Sequence, residues 1–126
     1  MPKPRPQIRS EAGKQAVARA REIALELPEA TEAIDKFGHT SFRVRDKPFV
    51  ILGEDEQGPS ISIKSDRHTQ RYLIEHTAFV KTPYIGQHGW VTLDDVADAD
   101  WSHLEELFKD GYKLAAPKTL ARLIGS

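Results

Sequence analysis

The sequence predicts an α+β fold, a two-layer sandwich in which an antiparallel sheet carries helices on one face. Three observations point to it. Residues 40–45, 60–64 and 90–93 alternate apolar and polar side chains, the period of strands with one buried and one wetter face. Residues following Ser10, Asp66 and Asp100 instead repeat apolar positions at helical spacing. The order is helix, several strands, helix, strand, helix, and those helices can cover only the apolar face of the sheet.

Taken in order, residues 1–9 read as a flexible basic arm, with proline at every second position of Met1-Pro2-Lys3-Pro4-Arg5-Pro6. A single domain is expected over 10–126. Ser10 is the expected N-cap of a helix whose inner face is Val17, Ala20, Ile23, Ala24 and Leu27, ended by Pro28. A strand is expected over 31–37 and a turn at Gly38-His39. The strand 40–45 sets Phe42 and Val44 against Ser41, Arg43 and Arg45. Asp46-Lys47 reads as a hairpin connection, 48–52 as an apolar strand and 53–59 as an acidic loop. Residues 60–64 set Ile61 and Ile63 against Ser60, Ser62 and Lys64.

Asp66 is the expected N-cap of a second helix to His76, with Leu73 and either Tyr72 or Ile74 turned inward. The densest stretch is Tyr84-Ile85-Gly86-Gln87-His88-Gly89-Trp90-Val91, where two glycines bracket Gln87-His88 and fix the directions of His88 and Trp90. A strand over 90–93 and an acidic loop over 94–99 lead to Asp100, the cap of a helix with Trp101, Leu104, Phe108 and Tyr112 in register. Gly111 inside that helix costs about 1 kcal/mol against alanine, which marks a close contact or a kink. Pro117 suits the first turn of a last helix over 118–124.

Composition narrows the function. The chain has 126 residues, 39% apolar and 29% charged, as a soluble globular domain does. It has no cysteine, which excludes disulfides, thiolate metal sites and a cysteine nucleophile. No apolar run is long enough to span a bilayer, and no apolar segment follows the basic N-terminus, so a cytoplasmic location is expected. The net charge of −1 speaks against a chain built to coat nucleic acid but leaves room for a local basic patch. Residues 1–21 carry Lys3, Arg5, Arg9, Lys14, Arg19 and Arg21 against Glu11 alone.

If the alternation holds, the open sheet face presents Arg43, Arg45, Ser60, Ser62, Lys64, Trp90 and Thr92, with His39 and His88 at adjoining turns. A basic face with an aromatic suits an anion or a nucleic-acid backbone; the same pattern also arises wherever an antiparallel sheet simply faces water. His39 and His88 suit proton transfer or metal ligation, but their positions beside glycine turns favour a structural role, donating a ring N–H to a backbone carbonyl. No HExxH spacing, EF-hand loop, GxSxG elbow or phosphate loop is present. No catalytic residue, metal or cofactor is therefore expected.

Five segments in order carry a resemblance: Leu27-Pro28-Glu29-Ala30; Phe37-Gly38-His39-Thr40-Ser41-Phe42-Arg43-Val44; Ser62-Ile63-Lys64; Pro83 to Val91; and Tyr112-Lys113-Leu114-Ala115-Ala116-Pro117-Lys118. Over about 20–123 the chain resembles the MmcQ/YjbR family. The resemblance implies a CyaY-like (frataxin-like) sandwich and DNA binding. Positions matching the family pattern are His39, Phe42, Lys64, Tyr84, Gly86, His88, Gly89, Trp90, Tyr112 and Lys118, none with an implied catalytic role. The exposed side of the first helix is Arg-rich, unlike the acidic ridge of iron-binding frataxins.

The resulting expectation is a monomeric nucleic-acid-binding or regulatory domain, with DNA as partner and no membrane. Arg43, Arg45, Lys64 and Lys118 would contact phosphates, with His88 at the edge and Trp90 as a stacking surface. The rivals are a small-anion or metabolite-binding protein or enzyme, using a pocket with Lys64, Tyr84, His88 and Lys118, and a protein-interaction module.

Overall fold

The computed structural model describes residues 7–125. Helix α1 (Glu11–Ala24) starts where Ser10 accepts the Gly13 N–H through its hydroxyl. Four strands follow: β1 (Ala30–Ile34), β2 (Thr40–Val44), β3 (Lys47–Asp55) and β4 (Gly58–Ile63). Helix α2 (Arg67–His76), β5 (Val80–Lys81), β6 (Val91–Leu93), α3 (Trp101–Ala115) and α4 (Lys118–Ala121) complete the described chain. The six strands form one sheet in the order β1-β2-β3-β4-β6-β5, every neighbouring pair antiparallel.

The alternation read from the sequence sets the layers. Phe42, Val50, Ile63 and Val91 pair across four strands and are fully buried. Leu52, Ile61 and Leu93 form the next row. They join one core cluster with Ala16, Val17, Ala20 and Ala24 of α1 and Leu104, Phe108 and Tyr112 of α3. The β2–β3 register shifts at Phe42/Arg43, so Phe49 is an extra residue in β3. The bulge turns Phe49 inward, edge-on to Tyr112 with ring centroids 5.6 Å apart.

Several boundaries differ from the sequence expectation for local reasons. β1 stops at Ile34 because the Asp35 carboxylate takes the amides of Phe37 and His39 into a turn. The acidic segment 53–59 is mostly strand, since pairing continues from Gly53↔Ser60 to Asp55↔Gly58. The tight turn before β3 is Arg45-Asp46, both at positive φ. In α2 both Tyr72 (59% exposed) and Ile74 (39%) face outward; the residue buried beside Leu73 is the polar Gln70. α4 ends at Ala121 and tightens into a 3₁₀ turn, Arg122–Ile124. Of the expected arm, residues 1–6 lie outside the described chain, while Gln7 donates its N–H to Gly38 at 2.8 Å and Ile8 packs on the core.

Gly111 is a contact glycine. A Cβ there would stand 2.7 Å from the Lys64 carbonyl oxygen and 3.4 Å from that of Phe49, so α3 lies directly on sheet backbone. Gly111→Ala should destabilise the domain by about 1–2 kcal/mol in urea titration, since overpacking outweighs the gain in helix propensity. A stabilised variant would show that the helix shifts freely.

Glu54 links β3 to α1, accepting the Ser10 hydroxyl at 2.7 Å and the Ser10 N–H at 3.1 Å. The hydroxyl bond chiefly holds its carboxyl below the ordinary range, against a smaller opposing effect of burial. A lowered folded-state pKa contributes stability that is present above the unfolded-state value and lost as pH falls through the folded-state one. Denaturation midpoints from pH 7 to 3 should therefore fall less steeply on the acid side in Glu54→Gln than in the wild type. Parallel acid limbs would remove Glu54 from the account.

Candidate functional site

The helix-free face of the sheet is not the basic surface its alternation suggested. Its central row pairs Ala33, Ser41, Ile51, Ser62 and Thr92 across β1, β2, β3, β4 and β6. Two turns frame this neutral floor into a groove of about 540 Å³. One rim is the β1–β2 turn with Asp35, Phe37 and His39; the other is the segment Pro83, Tyr84 and Ile85 after β5.

The first rim is held from two sides. Asp35 Oδ1 accepts the Phe37 and His39 amides at 2.9 and 3.0 Å, and its Oδ2 lies 3.2 Å from His39 Nδ1. Gln7 adds a bond from its side-chain amide to the Phe37 carbonyl at 3.1 Å. His39 lies over Gly53, where a Cβ would come within 2.8 Å of the ring. Phe37 thus stands out at 65% exposure on an anchored turn, with Lys36 Nζ 5.2 Å from its ring centroid.

The second rim stores backbone strain. The Ile85 N–H bonds to the Pro83 carbonyl at 2.7 Å, closing a three-residue turn around Tyr84 at φ 66°. This is the rarer, positive-φ form of the γ-turn. It leaves Tyr84 at 95% exposure. Behind it, α2 and the residues before it hold the following stretch through its carbonyls. Gln70 Nε2 donates to Gly86 at 2.7 Å and Trp90 at 2.9 Å, Ser65 Oγ to Gly89 at 2.6 Å, and Arg67 Nη2 to Gln87 at 3.0 Å. Gly89, at φ 98°, is obligatory, because a Cβ would collide with the Ser65 carbonyl.

The residues expected to bind an anion are dispersed, and none lines the groove. Trp90 is corrected outright: it is 5% exposed and offers no open stacking surface, with Lys64 Nζ 5.8 Å from its ring centroid. Arg45 is held by Glu29 in a two-bond pair of 2.6 and 3.0 Å, which raises the guanidinium pKa and lowers that of the carboxyl. Arg43 bonds Ser41 Oγ at 3.0 Å and the Asp46 carbonyl at 3.1 Å. His88 is exposed in the 3₁₀ turn Gly86–His88, and Lys118 is exposed at the start of α4. Of the rival pocket set, only Tyr84 lines the groove. A second depression of about 360 Å³ beside α1 contains Arg21 and Glu32, already bound to each other at 2.6 and 2.9 Å. Among the described residues no group of acidic and histidine side chains has the arrangement of a metal site, and no helix is long and apolar enough to cross a membrane.

Sequence reading missed Phe37, Asp35, Ile51 and Thr82 as groove residues. The available signal was an aromatic inside a Gly-containing turn, Phe37-Gly38, where no core position is on offer. Gln70→Met keeps volume but deletes both donors to Gly86 and Trp90. It should cost about 2 kcal/mol and speed amide exchange over 85–89. Unchanged exchange there would show that Gln70 is not the anchor.

The YjbR family pattern matches residues 25–114 of the chain. No curated protein matches it. Among solved structures, the crystal structure of Deinococcus radiodurans protein DR2400, with a DUF419 domain, aligns at a TM-score of 0.66. That alignment has 21% identity and covers 78% of this chain and 76% of the other, a likeness of fold. With well over half of its length matched by the family pattern, the chain belongs to the YjbR family.

Proposed function

We propose that the protein binds a flat, uncharged ring compound on the open sheet face, between Phe37 and Tyr84. The observation that carries this is the pair of exposed aromatic rings on two anchored turns across one groove. Large aromatics left in water at strained or tightly bonded backbone positions point to use by a ligand. Ile51 gives the floor an apolar centre, and Ser60, Ser62 and Thr82 give it hydrogen-bonding groups. The groove's acid and base, Asp35 and His39, face each other, so no lone charge asks for a counter-ion. Heterocycles of the nucleobase class meet these demands, with apolar faces and polar edges.

A second reading places one base of a single-stranded nucleic acid in the same groove, in line with the DNA binding expected from the family resemblance. Aromatics on an antiparallel sheet commonly stack bases, and Lys36 beside Phe37 supplies a cation at the rim.

Both readings are tested by NMR titration with quinoline, adenosine and uridine, and with short single- and double-stranded oligonucleotides across a salt series. Ring compounds should shift the Phe37 and Tyr84 resonances with little salt dependence. Phe37→Ala and Tyr84→Gly should each weaken binding about tenfold, the loss of roughly 1.4 kcal/mol of stacking. Tyr84→Gly relieves the positive φ, so stability should hold or rise by up to about 1 kcal/mol. Single strands that bind more tightly than nucleosides, with steep weakening by salt, select the second reading. No response of Phe37 or Tyr84 to any ring overturns both.

A further inference from the structure

We infer that a chain of three hydroxyls, Ser62–Thr92–Thr82, is the polar reader of this groove and selects rings that carry a hydrogen-bond donor beside an acceptor on one edge, as a lactam does. The inference rests on the ring-binding reading above. It names the ligand class more narrowly and assigns Thr92 a positioning role.

Thr92 Oγ1 lies 2.8 Å from Ser62 Oγ and 2.8 Å from Thr82 Oγ1. The three come from different strands or strand ends: β4, β6 and the residue after β5. Ser62 and Thr82 line the groove, while Thr92 is buried behind them. Each hydroxyl has one proton to donate and lone pairs to accept with. Two hydrogen bonds use two of the three protons.

Burial decides the order. If both end hydroxyls donated to Thr92, its own proton would be left without an acceptor in a buried position, an arrangement proteins avoid. The chain therefore runs one way: one end donates to Thr92 and Thr92 donates to the other. The end that receives keeps its own O–H for the groove. The end that gives keeps its lone pairs. Neither Ser62 Oγ nor Thr82 Oγ1 has another hydrogen-bond partner among the described residues. The floor thus offers one donor and one acceptor, less than twice 2.8 Å apart. Rotating the three hydroxyls exchanges the two roles, so the ligand's own edge sets the direction. A ring with an acceptor alone satisfies one end only.

The test uses two rings of the same shape, quinolin-2(1H)-one with an N–H beside its carbonyl and quinoline with an acceptor alone. Affinities are measured by NMR titration for the full chain and for Ser62→Ala, Thr82→Val and Thr92→Val. The wild type should favour quinolin-2(1H)-one at least tenfold. Ser62→Ala and Thr82→Val, each of which removes one end of the chain, should cut that preference to threefold or less. Thr92→Val fills the same space without the hydroxyl and frees both ends to donate, so 1,8-naphthyridine, with two acceptors on one edge, should bind it at least threefold more tightly than it binds the wild type. Equal wild-type affinity for quinolin-2(1H)-one and quinoline, a preference that survives both Ser62→Ala and Thr82→Val, or no gain for 1,8-naphthyridine in Thr92→Val overturns the inference and leaves ring binding standing. Failure of both rings to bind the wild type removes ring binding itself, and the inference with it.

Discussion

Gln70 carries the connection on which the groove depends. Its side-chain amide gives one proton to Gly86 and one to Trp90, carbonyls that also take the Gly89 N–H at 3.0 Å and the Thr82 N–H at 3.3 Å. Each of the two added hydrogen bonds contributes about 0.5–1.5 kcal/mol. The polar side of α2 is therefore a rack for loop carbonyls, with Arg67 and the preceding Ser65 extending it to Gln87 and Gly89. Held at this end, and by β5 at the other, the segment around Tyr84 keeps a turn that L-residues otherwise avoid by about 1–2 kcal/mol.

The one-sided placement of the helices explains where a ligand can approach. α1 and α3 take the apolar face, and Gly111 lets α3 settle onto backbone. The opposite face keeps Ala33, Ser41, Ile51, Ser62 and Thr92 in its middle row, and Arg43 and Arg45 at its margins are already bonded. The central row of this floor carries no charged side chain. Its edge strand β5 spans only Val80–Lys81, which limits unpaired backbone on that side.

The sequence was legible where one residue type decides a local outcome. Phe42 and Val44, Ile61 and Ile63, and Val91 and Leu93 declare the core face through their period of two, and Ser10, Asp66 and Asp100 all serve as the helix caps they resemble. Gly111 marked a close contact or a kink because little else justifies glycine inside a helix, and the structure shows the contact. The site was less legible because it is assembled at a distance. Alternation assigns Trp90 a side of the sheet but cannot say whether that side is covered. Arg45 looks free until Glu29, 16 positions earlier, is seen beside it. Tyr84 adopts a left-handed backbone without the glycine that usually announces one, and the hydroxyls of Ser62, Thr82 and Thr92 meet only after three chain segments pair.

That meeting of hydroxyls has an evolutionary consequence. A charged or amide side chain commits a site to one polarity, and reversing it takes a mutation. Ser62, Thr92 and Thr82 reverse by bond rotation alone, on the timescale of side-chain motion. Lineages sharing this floor could exchange one heterocycle for another with the opposite edge and leave the sheet untouched. Divergence would then concentrate in the two turns, where the bulk at positions 37 and 84 sets which rings fit between them.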